Sequence, residues 1–191
     1  MSEPALKYDD YQYEKLNGKI TAMAPSPNVN HTKSAINIFK IFDRYLEGKP
    51  CEVFSEGYDV HLSESDYVIP DMMVVCNKDI IKYDGIYGAP DLVVEVLSPG
   101  TSRKDRGYKK NLYEKHGVTE FWLVSTEMRS IEVYLLTNGR YELDDVYTVF
   151  PESLIKRMRE EGKTEFVTEF NPAIFPELII KLDEVFKDLI N

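Results

Sequence analysis

The stretch APDLVVEVLSPGTSRKD, residues 89–105, decides how the rest of the chain is read. Val93, Val94, Val96 and Leu97 read as a strand buried on both faces, yet Glu95 stands in their midst. Taking a carboxylate out of water costs several kcal/mol even after relaxation, unless a partner compensates it. Strand side chains alternate between faces, so Asp91, Val93, Glu95 and Leu97 point one way, and Leu92, Val94 and Val96 the other. The neighbour that makes Glu95 tolerable therefore bears on function as well as on fold.

Downstream, residues 103–116 predict a helix that ends near Gly117, and EFWLVS (120–125) predicts another strand. SIEVYLL (130–136) and RYELDDVYTVF (140–150) read as a meander turned at Asn138-Gly139. Pro151 suits the first position of a helix over ESLIKRMREEG, and a short helix near 183–190 closes the chain. Upstream, YVIPDMMVVC (67–76) is uniformly apolar and CEVFSEGYDVHL (51–62) alternates in part, so both read as strands. Ala35, Ile38, Phe39, Phe42, Tyr45 and Leu46 recur at helical spacing, which predicts an amphipathic helix over 31–47 with Gly48 to end it. YEKLNGKITAMAPSPNVN (13–30) reads as a short helix, a turn at Asn17-Gly18, a brief strand and a Pro-rich loop. Helix, strands, helix, strands give an α/β sandwich around a mixed sheet.

The 191 residues suit one domain with a real core. No apolar run approaches the length of a transmembrane helix and MSEPALKYDD lacks a signal-peptide pattern, so the expectation is a cytoplasmic protein without a membrane partner. Cys51 and Cys76 form no C-x-x-C pair and read as buried free thiols; the three scattered histidines give no zinc spacing. Trp122, the only tryptophan, reads as core. The net charge of −10 argues against a broad basic face, but RKDRGYKKNLYEKH (103–116) carries six Lys or Arg against two acids. That run reads as a solvated helix face or as a local phosphate-binding patch.

Asp71 shares its strand face with Met73 and Val75. If its strand pairs with that of Glu95, the two carboxylates converge and repel, which a hard divalent cation would relieve. The alternative is structural: Asp71 caps a turn after Pro70, and Glu95 pairs with a lysine or arginine of the 103–116 helix. Asp105, Lys109 and Tyr113 fall on one face of that helix, while Lys110 lies about 100° away on a helix of 3.6 residues per turn.

These motifs carry a resemblance. IPD (69–71), APDLVVEVLSPGTSRKD, Lys109, Tyr113 and GVTEFWLV (117–124) resemble the Uma2 family of the PD-(D/E)XK nuclease-like superfamily. The likeness runs from YEKLNGKITAMAPSPNVNH to FPELIIKLDEVF. It implies one nuclease-fold domain over 1–191, with a restriction-endonuclease-like core of a mixed central β-sheet flanked by helices. It also implies an endonuclease dependent on Mg²⁺, with Mn²⁺ able to substitute, acting on nucleic acid, DNA first, as a homodimer. Asp71 and Glu95 would be the metal carboxylates, and the backbone carbonyl of Val96 a further ligand.

The motif lysine two residues after the acid is missing, since Leu97 stands there, and the resemblance implies that Lys109 would take the role. It would orient or deprotonate the attacking water and stabilise phosphoryl charge. His31 and Glu56 are second candidates for the metal shell; Asp105 would brace Lys109 and Ser98 shape the turn. Arg103, Lys104, Arg106 and Lys110 would contact flanking phosphates. The displaced lysine and the acidic charge leave a second reading open, a nuclease-fold protein that binds nucleic acid or a protein partner without cutting.

Overall fold

The computed structural model describes residues 13–22, 27–162 and 166–190. The first two strands among the described residues, β1 (Tyr13–Leu16) and β2 (Lys19–Ala22), form a hairpin. Helix α1 (Val29–Leu46) follows, then β3 (Glu52–Ser55), β4 (Val60–His61), β5 (Tyr67–Val68) and β6 (Met72–Val75). A 3₁₀ turn leads to β7 (Ile81–Lys82), β8 (Gly85–Tyr87) and β9 (Leu92–Val96). Residues 102–116 form one helical run: α2 (Ser102–Lys104), a π-helical stretch (Asp105–Lys109) and α3 (Lys110–His116). After β10 (Glu120–Ser125), β11 (Ser130–Thr137) and β12 (Arg140–Thr148) come α4 (Glu152–Glu160), β13 (Glu169–Phe170), β14 (Ile180–Lys181) and α5 (Leu182–Val185).

The main sheet runs β12-β11-β10-β9-β6-β3. Only β9 and β10 are parallel in it, joined by the 102–116 crossover, so the sheet is mixed as expected. A smaller sheet runs β2-β1-β5-β4-β8-β7. The alternation read in β9 holds. Leu92, Val94 and Val96 pack with α1 residues Ile38 and Phe42, with Trp122 and with the C-terminal Ile180 and Val185. Val93 and Leu97 face the opposite way, against Leu112 and Tyr113 of α3 and against Val60, Val68 and Ile86 of the smaller sheet. Glu95 belongs to that second face, beneath the helical run.

The α1 stripe is buried at Ala35, Ile38, Phe42 and Leu46, and Ile41 joins it. Phe42 packs obliquely on Trp122 and Phe175, with ring centroids 5.7 and 6.2 Å away. Trp122 is core, and its indole N–H donates to Glu120 Oε1 at 2.7 Å. The Asn138-Gly139 hairpin is present, with φ of 52° and 77° between Thr137 and Arg140. These values are those of the primed two-residue turn, which glycine and asparagine adopt most readily.

Three expectations are corrected. The YEKL segment is β1 and not a helix, because Asn17-Gly18 (φ 51° and 75°) makes a second tight hairpin and β1 is held between β2 and β5. The Pro-rich loop that followed lies largely outside the described residues. Cys51 and Cys76 are not free thiols but a disulfide. They face each other one step beyond the Glu52–Val75 pair, with Cα atoms 3.9 Å apart. The 51–62 stretch is also two strands rather than one, broken by a turn at Glu56-Gly57. Among the described residues no helix is long and apolar enough to cross a membrane.

Phe42→Ala is expected to cost about 3–5 kcal/mol in urea denaturation, from lost transfer energy and the cavity left behind. Tyr83→Ala, at a fully exposed loop tip, is expected to change stability by less than about 0.5 kcal/mol.

Candidate active site

Strands β6 and β9 pair antiparallel through Met72–Val94, which sets Asp71 across from Glu95 where the ladder opens. There the Asp71 side chain continues the pairing that the backbone gives up: its Oδ2 accepts from the Val96 N–H at 2.6 Å. His31, in the first turn of α1, brings Nε2 to 3.3 Å from the same oxygen. Its place is set by Asn28, whose side chain caps the helix by accepting from the His31 N–H at 2.9 Å. Burial pulls the imidazole pKa down, but the Asp71 carboxylate, the charge of Glu56 and the Val96 carbonyl together raise it. The other ring nitrogen, Nδ1, is buried and has no hydrogen-bond partner among the described residues.

Glu95 is 3% exposed, and its Oε1 accepts from Lys109 Nζ at 2.9 Å and from the Tyr113 hydroxyl at 2.6 Å. Lys109, 4% exposed, also lies 2.9 Å from Glu14 Oε1 and 4.0 Å from Asp105 Oδ1. Asp105, Lys109 and Tyr113 thus share one helix face, as their spacing predicts. The π-helical stretch from Asp105 to Lys109 widens the turn that carries the lysine, a deviation often found at functional sites. Lys110 faces elsewhere, with Nζ 3.6 Å from the centre of the Tyr134 ring.

Burial pushes the Glu95 carboxyl well up, and the charges of Asp105, Asp71 and Glu14 add to this against the pull of Lys109. Burial pulls the Lys109 pKa down, but the charges of Glu95, Glu14 and Asp105 outweigh it and raise the pKa above the usual lysine range, so the amine stays an ammonium. Burial and the Glu95 charge raise the Tyr113 pKa, which keeps its hydroxyl a donor. Three buried carboxylates, Glu14, Glu95 and Asp105, surround two ammonium groups, Lys104 and Lys109. With Asp71 next to them, this end of β9 carries more negative than positive charge.

Among the described residues the hydrogen bonds to Glu95 fall on Oε1 and those to Asp71 on Oδ2, which leaves one oxygen of each carboxylate without a donor there. Among the described residues no group of three His, Cys, Asp or Glu side chains is arranged to hold a metal. A cation here would take the two carboxylates and the Val96 carbonyl, with water or phosphate oxygens completing its shell. An all-oxygen donor set of this kind suits Mg²⁺ or Mn²⁺ and not zinc.

The remaining candidates spread outward. Ser98 shapes the turn, as expected: its hydroxyl accepts from the Thr101 N–H at 3.2 Å, while Thr101 Oγ1 accepts from the Ser98 N–H at 3.3 Å. Asp105, taking a hydrogen bond from Thr101, braces the helix beside Lys109. Glu56 is exposed in the turn after β3. Arg103 is exposed, whereas Lys104 binds Glu14 and Arg106 binds Glu132.

Glu14 is the residue that sequence reasoning missed. It is 1% exposed and lies on the same strand face as Leu16, which is partly buried against the core. An acid alternating with a leucine was the available signal, hidden by reading the segment as a helix.

Three comparisons bear on identity. The model of the Uma2 family, described as "Putative restriction endonuclease", matches residues 3–162. An uncharacterised protein of Synechocystis sp. is 31% identical over 137 residues, 69% of this chain and 72% of that protein. The crystal structure of "a putative nuclease belonging to DUF820" from Anabaena variabilis aligns with a TM-score of 0.65 at 20% identity, covering 91% of this chain and 89% of that one, and shows a shared fold. The chain belongs to the Uma2 family.

Lys109→Met leaves Glu14, Glu95 and Asp105 without their shared cation and is expected to cost about 3–5 kcal/mol at pH 7. Without the lysine the already raised pKa values of Glu95 and Asp105 rise further, and Glu14 loses one of the two ammonium groups that hold its own pKa low. The penalty is then full above the raised pKa values and shrinks as pH falls toward 4.5 and the acids protonate. Denaturation at both pH values checks this; an equal loss at each would contradict it.

Proposed function

We propose that this Uma2-family protein is an endonuclease that hydrolyses phosphodiester bonds in nucleic acid, DNA first, with Mg²⁺ as cofactor or Mn²⁺ in its place. The observation that carries this reading is the buried excess of carboxylates at the end of β9, next to a fixed ammonium. The family's description supports chemistry on nucleic acid. Asp71, Glu95 and the Val96 carbonyl would hold the ion, with His31 against Asp71, and Glu56, whose charge acts on His31, as outer partners. When bound, the metal supplies Lewis acidity at a phosphoryl oxygen and a lowered pKa for water.

The protein groups divide the remaining work. The Val96 N–H and His31 keep the Asp71 carboxylate in one orientation. Tyr113 and Lys109 do the same for Glu95 through Oε1, and its second oxygen would serve the ion. Lys109 offers positive charge and N–H donors where charge accumulates on the phosphoryl oxygens. Its acidic neighbours keep it protonated, so orienting water suits it better than deprotonating water. Arg103, exposed on the first turn of the crossover helix, is the cation best placed to meet a flanking phosphate. A homodimer would supply a site for each strand of a duplex.

One observation favours the second reading, a nuclease-fold protein that binds nucleic acid or a protein partner without cutting, and within it the protein partner. Of the four cations read as phosphate contacts, Lys104, Arg106 and Lys110 are engaged by Glu14, Glu132 and the Tyr134 ring.

Calorimetric titration of Mg²⁺ and Mn²⁺ into wild type, Asp71→Asn and Glu95→Gln, with each variant shown to be folded and DNA cleavage followed in parallel, separates the two. Metal binding lost in both variants, with cleavage down at least about a hundredfold, is the expected result. Variants that are more stable than wild type, from a protein that binds no metal with or without DNA, would leave Glu95 as a structural carboxylate and favour the binding module.

A further inference from the structure

Lys109 does not belong to Glu95 alone. Its Nζ lies 2.9 Å from Glu95 Oε1 and 2.9 Å from Glu14 Oε1, so two carboxylates from different sheets share one ammonium. We propose that Glu14 is a positioning residue of the candidate active site, the second counter-ion that holds the Lys109 ammonium in place and so leaves Glu95 able to serve a cation. The inference rests on the nuclease reading for its consequence and on geometry alone for its first half.

If Glu95 were the sole partner of Lys109, the two would form a closed pair, and a metal ion would have to compete with the ammonium for the carboxylate. Glu14 divides that attraction. It is equipped to do so because its own charge is balanced from the far side by Lys104. Burial pushes the Glu14 carboxyl up, but Lys109 and Lys104 overcome this and hold it below the usual range, so it remains a carboxylate. The result is a line of alternating charge, Lys104, Glu14, Lys109, Glu95, that ends at the Tyr113 hydroxyl.

The position of Glu14 is also fixed from behind. In the hairpin that carries it, the Asn17 N–H donates to Asp66 Oδ1 at 2.6 Å and the Gly18 N–H to the Ser65 carbonyl at 2.8 Å. Lys15, whose backbone pairs with Tyr67, reaches the Glu64 carbonyl at 2.8 Å. Glu14 Oε1 further accepts from the Ile69 N–H at 3.4 Å, two residues before Asp71. The hairpin thereby ties the lysine of one motif to the segment bearing the aspartate of the other.

Two readouts test this on the full chain. The first is hydrogen exchange of the Lys109 ammonium, followed by ¹H–¹⁵N NMR in metal-free protein and assigned through bonds. Glu14→Gln is expected to speed that exchange at least tenfold. The second is Mn²⁺ affinity by calorimetry, expected to weaken at least fivefold although Glu14 is not a ligand. Unchanged exchange overturns the proposal. Faster exchange with unchanged Mn²⁺ affinity overturns it too, since Glu14 would then hold the lysine without influence on Glu95. Should the amide variant fail to fold, Glu14→Asp keeps the charge one methylene short, and both shifts are expected there in smaller measure; their absence is equally decisive. A wild type that binds no Mn²⁺ and cuts no DNA defeats the nuclease reading, and the exchange result then decides alone whether Glu14 positions Lys109.

Discussion

An ammonium group almost out of reach of water, Lys109, sits between two carboxylates that are also buried, Glu95 and Glu14. Each of these ions forgoes several kcal/mol of hydration, and the attraction among them repays that only if the geometry is close. Three separate parts of the chain therefore have to meet at one point. Strand β9 brings Glu95, the crossover helix brings Lys109, Asp105 and Tyr113, and the N-terminal hairpin brings Glu14. Removing any one of them leaves the others with unpaired buried charge. The cluster thus constrains the docking of the smaller sheet and of the crossover helix on the main sheet.

The same point is where the β6–β9 ladder opens. A parting pair of strands leaves backbone groups to be satisfied, and the Asp71 carboxylate meets the Val96 N–H. That contact, with His31 behind it, fixes Asp71 beside Glu95 although carboxylates so placed repel. The local charge does not close: the acids outnumber the ammonium groups, and one oxygen of each strand-end carboxylate carries no protein donor among the described residues. Electrostatics at this end of the sheet favour a proton or a cation, and the oxygen-only donors favour a hard one.

Much of this was legible in residue order. The alternation in LVVEV put Glu95 on one face, and the D-x-x-x-K-x-x-x-Y spacing put Lys109 and Tyr113 on a common helix face, where both reach Glu95. The stripe of α1, the strand EFWLVS and the Asn138-Gly139 turn were legible because each follows from local periodicity or local backbone preference. Contacts between distant segments were not. The Cys51–Cys76 bond depends on the register of β3 against β6, and no spacing rule encodes a register. Glu14 was hidden for a related reason: YEKL has too few residues to show a period, and only its neighbours on either side make it a strand.

The basic run at 103–116 shows the limit most plainly. Its sequence offered a solvated face or a phosphate-binding patch, and the fold divides it instead: Lys109 goes inside, Lys104 turns to Glu14, Arg106 to Glu132, and Lys110 lies on an aromatic ring. By itself the sequence determined the longer helices and strands, which of their faces are apolar, and that one strand carries a buried acid in need of a partner. Tertiary structure alone decided who the partners are. Local periodicity is set within a few residues by backbone geometry, whereas a charge buried across three segments is balanced only when the whole fold has brought them together.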